Sequence, residues 1–226
     1  VSACEQEVKY TLGNGRAGAA LALLRVRCRP DPEHPRGVVS SLYYDAQDFR
    51  ALYEKGNSDY LKMKVRLRWY GVEGPDPSQA FIEAKYRVGG RRDKVRVSTR
   101  YSSEWLERTP LDDPELAAIP WLLRSHGVTL TADWQPMFVV RYERYRFIEP
   151  LTGARVSLDA NVSVPAVNLR RLRSARPSML PTAVVEVKGM DMELPATLTG
   201  LLYLGCRKSS FSKYAACYHW LVQAMS

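Results

Sequence analysis

Cysteine and histidine are scarce in this chain of 226 residues, which holds four of the first and three of the second. Cys4, Cys28, Cys206 and Cys217 form no CxxC pair. Nor do they fall at zinc-ligand spacing with His34, His126 or His219, which argues against a soft-metal centre. Reduced, buried thiols in a cytosolic protein are expected. Long apolar runs are also missing, and none approaches the roughly 20 residues needed to cross a bilayer. No signal peptide is recognisable, so the expected location is the cytoplasm, or the cytoplasmic face of a membrane. Internal repeats are absent as well, which sets aside solenoids and propellers.

Positive charge, by contrast, is abundant. Lys and Arg number 33 against 24 acids, a net charge of +9. Such a balance points to an anionic partner: nucleic acid, an acidic membrane or a phosphorylated molecule. Hydrophobic residues at 46% supply enough material for a packed core.

Three proline-rich stretches, 28–37, 71–79 and 168–181, interrupt the chain without separating two independent cores, so one domain over residues 1–226 is expected. Between them, alternation with a period of two predicts strands over 5–12, 38–44, 60–70, 80–88, 94–99, 138–148, 155–162 and 183–189. Helices are predicted over 16–26, 45–54, 113–125 and 212–224, the last with Ser212 as its N-cap. About eight strands with helices packed outside predict an α+β, mainly β architecture: a closed antiparallel β-barrel.

The segment Tyr60–Tyr70 decides where the charge goes. Strand side chains alternate between faces, so Lys62, Lys64, Arg66 and Arg68 share one face and Leu61, Met63, Val65, Leu67 and Trp69 the other. Like charges in a row repel unless an anion sits among them. The pattern recurs with acids mixed in: Glu5, Glu7 and Lys9; Glu83 and Lys85; Lys94 and Arg96; Arg144 and Arg146; Arg155 and Asp159; Glu186 and Lys188. Apolar faces packed under external helices would turn these charged faces into the lumen. Converging Lys and Arg suit an oligophosphate. Carboxylates among them would repel it unless they hold Mg²⁺ or Mn²⁺. Nucleic-acid binding, which calls for an exposed stripe of cations interleaved with aromatics, ranks low.

These residues fall into motifs with a known order. Glu5-Gln-Glu-Val-Lys9 resembles the ExExK signature of the CYTH, or triphosphate tunnel metalloenzyme, superfamily. Glu7-Val-Lys-Tyr10 resembles the corresponding start in its VTC (vacuolar transporter chaperone) branch. The resemblance continues through Ser40–Asp45, Lys64–Tyr70, Phe81–Lys85, Tyr142–Phe147, Arg155–Asp159, Val185–Lys188 and Phe211–Tyr214. Two positions depart from the family pattern: Ser210, often basic in eukaryotic polymerases, and Arg146, where the family has Ala.

The resemblance implies a tunnel enzyme, most simply a polyphosphate polymerase that moves the γ-phosphate of ATP onto a growing chain; the short, tail-free chain suggests a bacterial member. It implies Arg66, Arg68, Lys85, Arg144 and Lys213 as the catalytic cations. Lys9, Lys62, Lys64, Lys94, Arg96, Arg146, Lys188, Lys208 and Ser212 are implied as substrate-binding, Lys208 compensating for Ser210. Glu186 is implied as the principal ligand of Mn²⁺ or Mg²⁺, with Glu5 and Glu7 beside it. The alternatives are a tripolyphosphate or nucleoside triphosphate hydrolase and a non-catalytic polyphosphate or inositol-phosphate sensor. The loop arginines Arg170, Arg171, Arg173 and Arg176 are read as solvated, or else as a funnel for an incoming polyanion.

Overall fold

The computed structural model describes residues 6–53, 61–71, 79–88, 91–130, 133–173 and 175–223. The described residues form eleven strands: β1 (Gln6–Gly13), β2 (Arg29–Pro30), β3 (Arg36–Asp45), β4 (Leu61–Tyr70), β5 (Phe81–Val88), β6 (Arg91–Ser98), β7 (Gln135–Ile148), β8 (Arg155–Val167), β9 (Ser178–Met179), β10 (Thr182–Gly189) and β11 (Arg207–Lys208). All pairings are antiparallel, in the order β11-β1-β10-β8-β7-β3-β4-β5-β6, with β2 on β7 and β9 on β8. The mainly antiparallel sheet is as expected, but its closure into a barrel is not seen among the described residues. Among the described residues no ladder joins β6 to β1 or β11.

The eight long strands are those the alternation predicts, and each keeps an apolar convex face. Val65, Leu67, Ile82 and Ala84 are fully buried beneath α3 (Ser103–Arg108), α4 (Pro114–Ala118) and the 3₁₀ turn 119–126. Val8, Val156, Leu158, Val185 and Val187 are buried beneath α1 (Ala17–Arg27) and α5 (Gly200–Tyr203). The concave face is mixed. One part is filled by Tyr43, Phe138, Val162, Val164 and Tyr214, where α6 (Lys213–Gln223) and α2 (Arg50–Tyr53) pack into the curve. Only the rest is charged. The expectation of a polar lumen throughout is corrected accordingly.

Asn161 explains how β8 serves both parts. Its φ of 54° is a left-handed conformation that Asn tolerates, and the register with β7 shifts around it. Asn161 is held there by Asn14, whose amide donates to its side-chain oxygen and whose own oxygen accepts its backbone N–H, both at 3.0 Å. The bulge changes which residues point inward. Asp159 lies on the concave face before it, Val162 and Val164 after it.

Helix boundaries differ from expectation for identifiable reasons. The predicted helix 113–125 is split because Pro120 has no N–H to donate, and the chain continues as a 3₁₀ turn. The predicted helix 45–54 shrinks to α2. Asp45 ends β3, and its buried carboxylate accepts from the backbone N–H of Ala46, Ala51 and Leu52. The Ser212 cap holds, its hydroxyl accepting from Ala215 N at 3.5 Å. α3 and α5, and the two-residue strands, carry no periodic signal long enough to predict.

Cys28, Cys206 and Cys217 are buried thiols. Burial pushes them up to about 11, 11 and 12 respectively, so they are inert at neutral pH. Cys4 lies outside the described residues. No helix among the described residues is long and apolar enough to cross a membrane.

Candidate functional site

The charged part of the concave face encloses a cavity of about 260 Å³. Nine cations and three carboxylates line it, drawn from β1, β4, β5, β6, β7 and β10 and from the start of α6. The register explains the convergence. Lys9 lies opposite Glu186, Arg66 opposite Glu83, Lys85 opposite Lys94, and Arg144 opposite Asp159.

Two carboxylate centres hold most of these cations. Around Glu186, Arg144 donates at 2.9 Å and Lys213 at 3.2 Å, with the Lys9 ammonium 3.7 Å away. Asp159, fully buried alongside, takes both arms of the Arg144 fork at 2.6 and 2.7 Å, and Lys213 at 2.5 Å. Burial alone would raise the Glu186 carboxyl, but Lys213, Arg144 and Lys9 outweigh it and hold it well below the usual range. Burial likewise opposes the charge on Lys213, yet Asp159 and Glu186 keep its ammonium protonated well above its ordinary value.

On the opposite wall, Glu83 is 1% exposed and ringed by cations. Arg66 donates to it at 2.8 Å, Lys94 lies at 3.0 Å, and Arg68 and Arg96 stand at 3.8 and 3.7 Å. Arg68 also donates to Ser41 Oγ at 3.3 Å and to Tyr142 Oη at 3.5 Å. Lys64 donates to the Ser212 hydroxyl at 3.2 Å, which links β4 to the helix cap.

Lys85 is different. It is open to the cavity, yet desolvation by the surrounding protein, then Arg66, and then Lys188 and Lys9, pull its ammonium down to about 8 against the opposing pull of Glu7. Since Glu7 and Lys188 belong to the far wall, β5 and the β1–β10 pair face each other across the cavity.

The predicted site residues thus divide. Glu7, Lys9, Lys64, Arg66, Arg68, Lys85, Lys94, Arg144, Glu186, Lys188, Ser212 and Lys213 come together. Arg146 lies at one mouth, in an adjoining cavity of about 130 Å³ with Arg155, Lys188 and Asp31, and donates to His34 O at 3.1 Å. Arg96 sits at the rim, 3.8 Å over the Phe81 ring. Lys208 does not join the site and cannot stand in for a basic residue at 210. It pairs with Tyr10, whose side chain is packed beneath α1, and its ammonium is exposed and donates to Met192 O. Glu5 and the side chain of Lys62 lie outside the described residues. The loop arginines are mostly exposed and line no part of the cavity, Arg170 pairing with Asp112 at 2.9 Å.

Three residues went unassigned from sequence: Glu83, Asp159 and Tyr142. Glu83 and Asp159 carry the same signal as their neighbours, a charge in phase with the inward face. Tyr142 reads as core, and is buried, but Arg144 and Lys213 stand over its ring at 5.3 and 4.8 Å.

Hard oxygen donors are available for a divalent cation. Glu7 and Glu186 both face the cavity, on either side of Lys9, at 3.2 and 3.7 Å from its ammonium. No group of three or more His, Cys, Asp or Glu gathers among the described residues. Among the described residues, then, two carboxylates are offered here and no complete cage. That donor set fits Mg²⁺ or Mn²⁺, which complete their shells with water and substrate oxygens.

The model of the VTC domain family matches residues 5–222. This chain belongs to the VTC domain family. No curated protein matches the chain. Among solved structures, a Bacillus halodurans protein described as a candidate adenylate cyclase is 12% identical, covering 92% of this chain and 93% of that one, with a TM-score of 0.53. At that identity the likeness speaks for the fold alone. A Vibrio parahaemolyticus protein of the same description is 13% identical over 92% of this chain and 94% of that one, at a TM-score of 0.45, too low to add weight. In this VTC domain the family match spans both walls of the cavity, from β1 to α6.

Proposed function

We propose that this VTC domain is a metal-dependent polyphosphate polymerase, transferring the γ-phosphate of ATP to a growing polyphosphate chain held in the cationic channel. The observation that supports this best is the imbalance around one cavity, where nine cations face three carboxylates. An isolated charge surplus of that size is self-repelling unless a polyanion offsets it.

Arg66, Arg68 and Arg144, held in place by Glu83, Asp159 and Glu186, offer phosphate oxygens the N–H groups that those carboxylates leave over. Lys9, Lys64, Lys85, Lys94, Lys188 and Lys213 add point charges along the channel, and Ser212 a hydroxyl. Glu186 and Glu7 would hold Mn²⁺ or Mg²⁺, which supplies neutralisation of phosphate charge. The residues position a terminal polyphosphate oxygen in line with the γ-phosphorus. That oxygen forms the new bond to phosphorus. The bond to the β–γ bridging oxygen breaks, and the electron pair leaves on ADP. Pre-aligned arginines stabilise the charge on the transferring group without reorganising. Bound ATP and polyphosphate are the expected partners.

The test is incubation of the protein with ATP and Mn²⁺, followed by a gel stained for polyphosphate and an assay for free phosphate. Polymer supports the proposal. Free phosphate without polymer makes the protein a triphosphatase, and neither product makes it a polyanion sensor. Glu186→Gln separates the metal's role from the anion's. It should keep or tighten metal-free tripolyphosphate binding while abolishing turnover. Unchanged turnover would reject Glu186 as the metal ligand.

A further inference from the structure

The two helical layers on the convex face carry opposite chemistry. The α3–α4 side contains Glu104, Glu107, Asp112, Asp113 and Glu115. The α1–α5 side, residues 13–30 and 194–208, contains no Asp or Glu at all, while Arg16, Arg25, Arg27, Arg29, Arg207 and Lys208 all fall within it. Asp191 and Glu193 lie exposed on the turn that precedes α5.

α1 and α5 run side by side in opposite directions. Arg16, just before α1, donates to Leu204 O at 3.1 Å, just after α5. At the other end, Gly200 is so close that a Cβ there would meet Leu23 Cδ1 at 2.6 Å. Their outward faces should be polar on a surface helix. Instead, α1 exposes Ala19, Ala22 and Val26, and α5 exposes Leu202 and Tyr203. Val26 is 81% exposed and Tyr203 90%, so both protrude as isolated tips.

We propose that the α1–α5 pair is a membrane-surface contact that binds anionic lipid headgroups, with Val26, Leu202 and Tyr203 inserted at the interface. Protruding apolar tips on two helices that carry arginines and no acid, Arg25 and Arg27 flanking Val26 and Arg16 reaching the end of α5, are complementary to an acidic bilayer. A tyrosine suits the headgroup level, where its ring is sheltered and its hydroxyl wet. The inference does not depend on what the channel does.

The test is co-sedimentation of the full chain with phosphatidylcholine vesicles, with and without phosphatidylserine. Saturating tripolyphosphate keeps the channel cations out of the comparison. Binding is expected only to the anionic vesicles, weakening with salt. The double variant V26D/Y203D should abolish it, and R25E/R27E should weaken it by about fivefold or more per arginine. Circular dichroism and tripolyphosphate affinity should stay unchanged in both, since all four positions are exposed and outside the channel. Absence of binding, or binding that neither variant alters, overturns the proposal. So does a wild-type dimer in solution that V26D/Y203D converts to monomer, which would make the face a protein–protein interface instead.

Discussion

Arg144 and Asp159 stand opposite one another on β7 and β8, joined by both arms of the guanidinium at 2.6 and 2.7 Å, while the same guanidinium reaches Glu186 on β10 at 2.9 Å. One side chain thus fixes three neighbouring strands at the centre of the channel wall. Asp159 is fully buried, and Lys213, at the first turn of α6, is a second cationic partner. Arg144 is therefore a structural clamp whose Nε and Nη2 are already given to carboxylates.

Arg144→Ala is expected to cost about 3–5 kcal/mol, the magnitude for leaving a buried charge without its main partner. Arg144→Lys keeps the charge but loses the fork, so its loss of stability should be smaller while turnover still falls steeply. Urea denaturation and the polyphosphate assay, run on both variants, separate the two effects. Equal stability of wild type and Arg144→Ala would remove the clamp from the account.

Much of this site could be read from the chain because strand alternation reports faces. Lys64, Arg66 and Arg68 had to share a side whatever the fold, and so did Glu7 and Lys9. What alternation does not report is curvature or closure. A sheet that curls without joining its edges has the same pattern as a barrel, so the absence of a ladder from β6 to β1 or β11 among the described residues had to come from the structure. Lys208 failed for a related reason. On a two-residue strand the face is set by register with β1, which has no sequence signal. The aromatic filling by Tyr43, Phe138 and Tyr214 was invisible because it needs the β8 bulge at Asn161 and the docking of α6.

Lys85 gives a pH signature. Its ammonium is lowered to about 8 from the ordinary value near 10.5, by desolvation first and then by Arg66. In the free protein the folded state sheds this proton more readily than the unfolded chain, so stability gains from this residue as pH rises through about 8 toward 10.5. A bound polyanion favours the charged form, so binding takes up a proton, and affinity should fall as pH rises past 8. Calorimetry of tripolyphosphate binding in buffers of different ionisation enthalpy reads that uptake directly. Lys85→Met should abolish it near pH 8. An unchanged proton count in the variant would place the titrating group elsewhere.

Tyr214 tests the link between the apolar filling and the charged channel. Its hydroxyl donates to the buried carboxylate of Asp45 at 2.7 Å, tying α6 to the end of β3, and the next residue back is Lys213. Burial raises the Asp45 carboxyl even against four hydrogen bonds, with Tyr214 the largest of the opposing influences. Tyr214→Phe should cost about 1.5–3 kcal/mol, the range for a hydrogen bond to a charged group. It should also weaken tripolyphosphate binding, because the start of α6 loses its anchor. A variant destabilised but binding normally would show that Lys213 is positioned by Asp159 and Glu186 alone.

Glu83 offers the sharpest test of a channel built for polyanions. Burial alone would raise its carboxyl, but Arg66, Arg68 and Lys94 hold it far below the usual range. A depressed folded value means its stabilisation is complete above the ordinary glutamate pKa of about 4.3 and is lost progressively as pH falls from there through the folded value. Glu83→Gln leaves the surrounding cations uncompensated. It should lower stability by about 3 kcal/mol at any pH above about 5, converging with wild type only in strong acid. A polyphosphate in the channel supplies the missing negative charge. Added tripolyphosphate should therefore raise the melting temperature of Glu83→Gln by more than it raises that of wild type. If both gain equally, the anion does not reach the Arg66–Arg68 wall, and those two arginines lose their proposed role in gripping the transferred phosphate.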